Sequence, residues 1–320
     1  EFILLNYNSS DGLDDFVYSE LNPYIQSGLL TYIKTSEPQF FHRSHSRNVA
    51  FRAASGDIIC NIDADNFMGK GFAEYVNRQF NKHKNSFLVP SADEHSKDVV
   101  GRVCVRKSDF MKVKGYDEAM SDYGYEDRDF YNRLKLSGLE EVFIKEARFL
   151  RSISHPFTER FANEKTSRLM ENIFLHFINE EATHIIVLNT DKSFFRGTLI
   201  TDDRGEGAYC IPGILEGKWE TGTWSRKDER IVLDSEIRSE GFSFSEASEK
   251  RPGTISSGIG ELYYQLSDAE FIDWLMFRIP LITNHMKLKS NQRDNRIIAN
   301  EHHYGCALLT RNFKEQFVMN

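Results

Sequence analysis

A short apolar run ending in two aspartates occurs in Asp57-Ile58-Ile59-Cys60-Asn61-Ile62-Asp63-Ala64-Asp65-Asn66. The isoleucines and Cys60 predict a short buried strand. Asp63 and Asp65 follow where that strand ends, and ligands of open α/β sheets bind at the carboxyl ends of strands. Two carboxylates this close together repel each other unless a cation neutralises them. The pair therefore predicts a site for Mg²⁺ or Mn²⁺ that also binds a substrate phosphate, although solvated aspartates in a polar turn would show the same pattern.

Strand and helix patterns alternate on both sides of this run, from residue 1 to about residue 155. Ser46 is the expected N-cap of one helix, because its hydroxyl could accept a backbone hydrogen bond there. The alternation indicates βαβ units and a mostly parallel sheet in a Rossmann-like α/β domain. The predicted strands are 2–5, 28–33, 58–62 and 86–89, and the predicted helices are 16–21, 46–54, 72–80 and 127–138.

The second half of the chain has a different pattern. Five short β-like runs separated by turn residues predict an antiparallel meander or small barrel. A helix over 158–181 is expected to link this β-rich part to the first domain, and Pro280 is expected to end a helix that begins at Ser267. The predicted domains are 1–157, 158–181, 182–265 and a partly helical segment 266–320. The β-like runs are 184–189, 194–200, 208–214, 218–224 and 230–234, and 235–260 is predicted to be a long loop.

Composition excludes several classes of protein. The 320 residues have a net charge of −8 and no basic run, which argues against nucleic-acid binding. The four cysteines form no C-x-x-C pair, so neither a zinc site nor a disulfide scaffold is indicated, and a reducing, cytoplasmic location is expected. No apolar stretch approaches the roughly eighteen residues of a membrane span, which leaves only peripheral membrane association open.

A second group of acidic and aromatic residues lies in Gly115-Tyr116-Asp117-Glu118-Ala119-Met120-Ser121-Asp122-Tyr123-Gly124-Tyr125-Glu126-Asp127-Arg128-Asp129. Glu126 and Asp127 come at the start of a predicted helix, where the helix dipole favours a charged carboxylate. Such a carboxylate can act as a general base if it reaches the proton to be removed. Tyr123 and Tyr125 could offer flat faces to a sugar ring. An acidic helix start with buried tyrosines would explain the same residues structurally.

A third candidate is His155, in Ser154-His155-Pro156. A lone histidine is usually structural. In this chain, two aspartates, then a Glu-Asp pair, then a histidine form an ordered set that could surround one metal ion and one diphosphate.

Residues 1 to about 156 resemble the inverting glycosyltransferases of family 2, which have the GT-A fold. Together the matching stretches are specific, although each alone is weak. Leu4-Leu5-Asn6-Tyr7-Asn8-Ser9-Ser10-Asp11-Gly12 resembles the turn V-D-D-G-S-x-D-G, Ser44-His45-Ser46-Arg47-Asn48 resembles the A-R-N segment, Asp63-Ala64-Asp65 matches D-x-D, and Gly115-Tyr116-Asp117-Glu118 with Gly124-Tyr125-Glu126-Asp127 resembles a galactosyltransferase-like segment ending in E-D.

The resemblance implies a role for each matching position. The nucleotide sugar would be contacted by Asn6, Tyr7, Asp11, Arg47, Asn48 and Asp63. Asp63 and Asp65 would bind the metal, with His155 as a third ligand. Asp127 would be the catalytic base, with Glu126 beside it, and Tyr123 and Tyr125 would meet the acceptor.

The family begins with a further strand that holds the nucleotide base, and a corresponding strand is expected before Glu1. Asn6 stands where the family usually has aspartate, so the preferred base is left open.

The resulting expectation is a metal-dependent inverting hexosyltransferase of polysaccharide biosynthesis. It would move a sugar from a nucleoside-diphosphate donor, UDP-linked by expectation, to a hydroxyl of a saccharide or glycoconjugate acceptor. Two alternatives stay open: a non-catalytic protein that binds carbohydrate or nucleotide sugar, and a nucleotidyltransferase that makes nucleotide sugars. The second normally has a glycine-rich basic loop near its start, and none is present in this chain.

Overall fold

The computed structural model describes residues 1–91, 97–154, 156–180, 182–200, 219–244 and 253–320. The chain divides into two compact units, of which the first combines residues 1–165 with 283–320 and the second is 166–282. The last part of the chain thus contributes to the first unit. His155 and the predicted strand 208–214 lie outside the described residues.

The strands and helices are numbered in chain order. The strands are β1 (Phe2–Tyr7), β2 (Leu30–Thr35), β3 (Ile58–Asn61), β4 (Asn66–Phe67), β5 (Ser86–Pro90), β6 (Val103–Arg106), β7 (Glu140–Ile144), β8 (Arg151–Ser152), β9 (Met170–Phe177), β10 (Ala182–Asn189), β11 (Ser193–Ile200), β12 (Glu220–Lys227), β13 (Arg230–Ser235), β14 (Ser239–Phe244), β15 (Thr254–Ser256), β16 (Leu262–Gln265), β17 (Ala307–Arg311) and β18 (Glu315–Met319). The α-helices are α1 (Leu13–Phe16), α2 (Asn22–Gln26), α3 (Arg43–Ala53), α4 (Phe72–Lys82), α5 (Lys107–Lys112), α6 (Glu126–Leu136), α7 (Lys165–Leu169) and α8 (Ala269–Arg293).

The first unit contains two four-stranded mixed sheets, in the orders β1-β2-β17-β18 and β3-β6-β5-β7. Among the described strands of these two sheets, β1–β2 and β5–β7 are parallel and the other four pairs are antiparallel, so the expectation of a mostly parallel sheet is wrong. β6 runs antiparallel to both neighbours, and the hairpin β17–β18 joins β2 from the far end of the chain. Antiparallel neighbours need no crossover helix, so the alternation of elements along the chain could not reveal them.

The sheet β3-β6-β5-β7 is covered on both faces. Val103 and Val105 of β6 pack in a cluster with aromatic residues of α3, α5 and α6, whereas Cys104 packs in the opposite cluster with α4. Burial on both sides explains why β3 and β5 read as continuous apolar runs rather than alternating ones. α3 begins after His42, whose ring accepts from the backbone N–H of His45, so Ser46 is not its N-cap.

The second unit contains a closed barrel of eight antiparallel strands, β9 to β16, in chain order with β16 paired to β9. Short antiparallel strands were predicted for this region, and the barrel agrees with that prediction. The barrel core is apolar, with Phe174, Phe194, Leu233 and Phe242 among its buried side chains.

Three local predictions in the second half are wrong. The helix predicted over 158–181 is present only as the short α7, and β9 follows it directly and is paired on both edges within the barrel. The loop predicted over 235–260 contains β14 and β15. α8 continues through Pro280, although proline inside a helix costs about 3 kcal/mol. Ile279 and Ile282, on either side of it, are buried, and each such burial contributes roughly 1.5–3 kcal/mol.

No helix among the described residues is both long enough and apolar enough to cross a membrane.

Candidate active site

The turn after β3 is held by side-chain amides. Asn61 Nδ2 donates to Asp63 Oδ1 at 2.9 Å and to the Gly101 carbonyl at 3.0 Å. Asn66 Nδ2 donates to Asp65 Oδ1 at 2.7 Å, and the Asn66 N–H donates to the Asp63 carbonyl at 2.9 Å. These bonds orient both carboxylates of the predicted metal pair at the end of the strand.

Arg47 joins the two acidic segments. It lies on α3, and its Nη1 donates to Glu126 Oε1 at 3.0 Å and to Asp127 Oδ1 at 2.9 Å. Its Nη2 lies 3.5 Å from Asp63 Oδ1, and its guanidinium lies over the ring of Tyr116. Only 10% of the Arg47 side chain is exposed. The structure therefore brings four of the predicted site residues into one cluster, which we call the Arg47 cluster: Arg47, Asp63, Glu126 and Asp127.

The acidic start of α6 depends on an unusual backbone conformation. Tyr125 precedes the helix with φ of 67°, in the left-handed region that a bulky residue seldom adopts. Asn284 Nδ2 donates to the carbonyls of Ser121 and Gly124, at 2.9 Å each, and so holds the segment before the helix. The ring of Tyr125 stacks on His285 with ring centres 4.8 Å apart. One face of a predicted acceptor-binding ring is thus covered by the protein itself.

Burial sets the ionisation of the cluster. It raises the pKa of Asp127 to about 7; Arg47 opposes this rise, and Glu126 and Asp63 add to it. Burial by itself would lower the pKa of Arg47, but Asp127, Asp63 and Glu126 raise it overall. A guanidinium that stays charged thus lies beside a carboxyl that changes charge near neutral pH.

Gly101 has no side chain, and the Arg47 cluster occupies the space that a side chain would take. A Cβ at this position would lie 2.7 Å from Arg47 Nη2, 2.9 Å from Asp63 Oδ2 and 3.4 Å from Asp127 Oδ2. Because the first two distances are too short for a real Cβ contact, a larger residue would displace a charged group.

The fit to a divalent cation rests on Asp63 and Asp65. No group of three His, Cys, Asp or Glu side chains within the described ranges is arranged to hold a metal ion. Two carboxylates are nevertheless enough for Mg²⁺-type binding when substrate phosphates complete the coordination. Asp63 Oδ1 accepts from Asn61, while Oδ2 accepts no hydrogen bond from the part of the chain that is described. The oxygen donors therefore fit such a cation, and the third ligand predicted, His155, lies outside the described residues.

Asn6 and Asn48 have structural roles in this molecule. Both side chains are buried. Asn6 Nδ2 donates to Asp14 and to the Tyr32 hydroxyl, both at 2.9 Å, while Asn48 Nδ2 donates to the Tyr116 carbonyl at 2.9 Å and to Glu118 Oε1 at 2.8 Å. Each side-chain NH2 group thus uses both of its hydrogen atoms for bonds within the protein. Direct contact of Asn6 or Asn48 with a nucleotide stays a prediction.

Asp11 is exposed and does not join the Arg47 cluster. Its Oδ1 accepts from the Ser9 hydroxyl at 2.6 Å and from the Leu13 N–H at 3.0 Å, at the start of α1. The bond from Ser9 is the main reason that the pKa of Asp11 is lowered.

Tyr7 lines a pocket of about 380 Å³. Its hydroxyl lies 2.7 Å from His45 Nδ1, and its ring meets Phe41 edge-on at 5.8 Å between ring centres. His45 Nε2 lies 2.9 Å from the Cys306 carbonyl, which can only accept, so Nδ1 accepts the proton of the Tyr7 hydroxyl. His42 and Lys165 also line this pocket.

Sequence reasoning missed Arg43 and Glu164. Arg43 Nε and Nη2 lie 3.0 and 2.9 Å from Glu164 Oε1, and its guanidinium lies 4.8 Å from the ring centre of Tyr123. Burial raises the pKa of Glu164 to about 8, against the opposing effect of Arg43. Arg43 lies directly before Ser44-His45-Ser46-Arg47-Asn48, the segment that marked Arg47 as a candidate, so a signal for Arg43 was close by. No local signal marked Glu164, because its partner is 121 positions away along the chain.

Comparisons with known proteins identify one region. Residues 90–161 match the protein-family model described as the N-terminal domain of galactosyltransferase. The matched segment contains Gly101, Glu126 and Asp127, and the match supports a glycosyltransferase. Membership of family 2 stays a prediction.

Two solved structures, both of Drosophila β1,4-galactosyltransferase 7, show weak similarity to this chain. The catalytic domain in complex with xylobiose is 19% identical, with a TM-score of 0.36, and the alignment covers 51% of this chain and 74% of that one. A mutant in complex with manganese, UDP-Gal and xylobiose is 19% identical, with a TM-score of 0.34, covering 50% and 73%. TM-scores this low do not establish a shared fold. No curated protein matches the chain.

Proposed function

We propose that the first unit is a metal-dependent inverting glycosyltransferase of the GT-A type. It transfers a sugar from a nucleoside-diphosphate donor, UDP-linked, to a hydroxyl group of a saccharide or glycoconjugate. The observation that carries the proposal is the Arg47 cluster, in which Asp63 and Asp127, distant in sequence, bond to one buried guanidinium. The family match over residues 90–161 supports it independently.

Asp127 is the proposed general base. Its pKa of about 7 lies near physiological pH, where proton transfer to a positioned carboxylate is most effective. Asp127 removes the proton of the acceptor hydroxyl as that oxygen attacks the anomeric carbon from the face opposite the leaving diphosphate, which inverts the configuration. Arg47 and Glu126 orient this carboxylate and hold its charge.

Asp63 and Asp65 would hold a divalent cation, Mn²⁺ or Mg²⁺, and His155 is the proposed third ligand. When bound, the cation supplies positive charge that stabilises the leaving diphosphate. The Tyr7 pocket offers aromatic edges and imidazole rings, which suit the nucleoside. Tyr123 and Tyr125 are proposed to contact the acceptor.

The first test measures Mn²⁺-dependent hydrolysis and transfer with UDP-galactose, chosen because the matched family model describes a galactosyltransferase. Asp127→Asn should lower kcat by roughly 10²–10⁴-fold while leaving donor affinity unchanged. Asp65→Ala should weaken donor binding in Mn²⁺ but not in EDTA. The matched control is Glu74→Gln, which neutralises an exposed carboxylate on α4.

Unchanged turnover in Asp127→Asn would remove the proposed base and with it the mechanism. Donor binding that is equally tight with and without chelator would remove the metal. Ligand binding without turnover by any UDP-sugar would favour the non-catalytic alternative, and release of pyrophosphate from a nucleoside triphosphate and a sugar phosphate would favour the nucleotidyltransferase.

A further inference from the structure

The interior of the barrel is apolar at one end and polar at the other. Side chains alternate between the two faces of a strand, so the positions next to the apolar core along each strand also face inward. Phe174 and Ile186 belong to the core, and the next inward positions on β9 and β10 are His176 and His184, which pair directly across the two strands. Neighbouring strands run in opposite directions, so the end of one strand lies beside the start of the next. His176, late in β9, therefore lies beside His184, early in β10, and the inward polar residues lie at the same end of the barrel.

A buried ionic group lies in this polar end, next to the apolar core. Arg196 follows the core residue Phe194 on β11 and is 8% exposed. Its Nε donates to Glu220 Oε2 at 2.6 Å, and its Nη1 donates to Glu240 Oε2 at 2.7 Å. Ser235 donates to the other oxygen of Glu220 at 2.5 Å.

Rings and hydroxyls line the rest of the polar end. The rings of His176 and His184 are nearly parallel at 18°, with centres 5.9 Å apart, and Tyr263 lies 5.1 Å from His176. His184 Nδ1 lies 2.9 Å from the Thr198 hydroxyl, and the Tyr263 hydroxyl lies 3.3 Å from Glu261 Oε2.

Several polar atoms of this group have no hydrogen-bond partner among the described residues. Arg196 Nη2 is one of them and is fully buried, although Nε and Nη1 of the same guanidinium are paired. His176 Nδ1 lies 2.8 Å from the Leu262 carbonyl and therefore donates to it, which leaves Nε2 as an acceptor. Within the described residues neither His176 Nε2 nor His184 Nε2 has a hydrogen-bond partner. A buried donor without a partner is costly, and a ligand or water that bonds to it removes that cost.

We propose that this polar end of the barrel binds a neutral saccharide. Among the described residues of this polar end, three carboxylates (Glu220, Glu240 and Glu261) outnumber the two guanidinium groups of Arg196 and Arg238, which pair with Glu220 and Glu240. The excess of negative charge disfavours a phosphate or other anion. Sugar hydroxyls can donate to the carboxylate and imidazole acceptors and accept from Arg196, while the rings of His176 and Tyr263 offer flat apolar faces.

This binding does not depend on the proposed function, because none of these side chains belongs to the Arg47 cluster. The interior of an eight-stranded barrel is either just filled by side chains or wide enough for one small ligand, so the recognised unit is at most about one or two sugar rings.

The test is calorimetry on the full chain with neutral disaccharides, namely xylobiose, lactose, cellobiose and maltose, beside glucuronate and choline as charged probes. At least one neutral disaccharide should bind with a Kd in the micromolar to low millimolar range. Thr198→Val and His176→Ala should each weaken that binding roughly five- to tenfold, the effect of one lost hydrogen bond. The matched control is Thr221→Val, an exposed position on β12 that should leave binding unchanged. Tyr263→Phe, which removes only the hydroxyl, is a second variant that keeps the ring in the barrel.

Absence of binding by all four neutral disaccharides overturns the proposal. So does tighter binding of glucuronate or choline, or equal binding by wild type, Thr198→Val and His176→Ala. In Mn²⁺, UDP-galactose hydrolysis by the control Thr221→Val should be the same as by wild type. A wild type that binds a disaccharide but hydrolyses no UDP-sugar would contradict the proposed function and leave the barrel site standing.

Discussion

Replacing Arg47 with methionine should destabilise the first unit strongly. Methionine keeps most of the side-chain volume but removes the cation to which Glu126 and Asp127 are bonded. These two carboxylates have side-chain exposures of only 6% and 14%, so solvent screens them little. Removing one partner of a buried ion pair costs about 3–5 kcal/mol, and we expect a loss of that size in the free energy of unfolding at about pH 8.

The loss should be smaller at about pH 5. The pKa of Asp127 is raised to about 7, so the folded protein binds this proton more tightly than the unfolded chain does. The contribution of this carboxyl to stability is complete below its ordinary pKa near 4 and is lost as pH rises through about 7. At about pH 5 it is neutral and needs Arg47 least, whereas at about pH 8 it is charged and needs Arg47 most.

The assay must report on the first unit. All three tryptophans, Trp219, Trp224 and Trp274, lie in the second unit, so tryptophan fluorescence would follow the wrong part of the chain. Urea unfolding in EDTA, read by pulsed hydrogen exchange in α3 and α6, follows the elements that carry the cluster. The control is Arg78→Met, an exposed arginine on α4, which should change stability by less than about 1 kcal/mol. A loss in Arg47→Met no larger than in this control, or equal at both pH values, would refute the reasoning.

Two further predictions follow from the cluster. The pH dependence of kcat/KM for transfer should rise about tenfold per pH unit below pH about 7 and level off above it, because Asp127 must be deprotonated to accept a proton, and Asp127→Asn should abolish that rise. Gly101→Ala should lower the free energy of unfolding by about 1–3 kcal/mol and reduce kcat/KM, because its Cβ meets Arg47 and Asp63. The control Gly12→Ala, with open space around it, should have little effect. A Gly101→Ala variant as stable and active as wild type would contradict the close approach of these groups.

In the first unit, β1, β2, β3 and β5 and the helices α3, α4 and α6 were predictable because their signals are local, whereas β6, β7, β17 and β18 were not predicted. The apolar run at residues 58–62, the amphipathic spacing of α4 and the acidic start of α6 are each written within a dozen residues. The same locality made Asp63, Asp65, Glu126 and Asp127 visible as candidate site residues before any geometry was known. Local signals failed where pairing partners decide the conformation, as in β9, whose residues 173–175 have a pattern that fits a helix as well as a strand.

The sequence by itself determined which residues carry charge, which segments are apolar, and therefore where strands end and acidic turns begin. Only the tertiary structure decided that Arg47 bonds to carboxylates 16, 79 and 80 positions away, that Glu164 pairs with Arg43, and that His176 and Arg196 face the inside of one barrel. The physical reason is that side-chain pairing and burial depend on distances in space between distant parts of the chain. Local spacing restricts the conformation of one element but does not specify which elements come together.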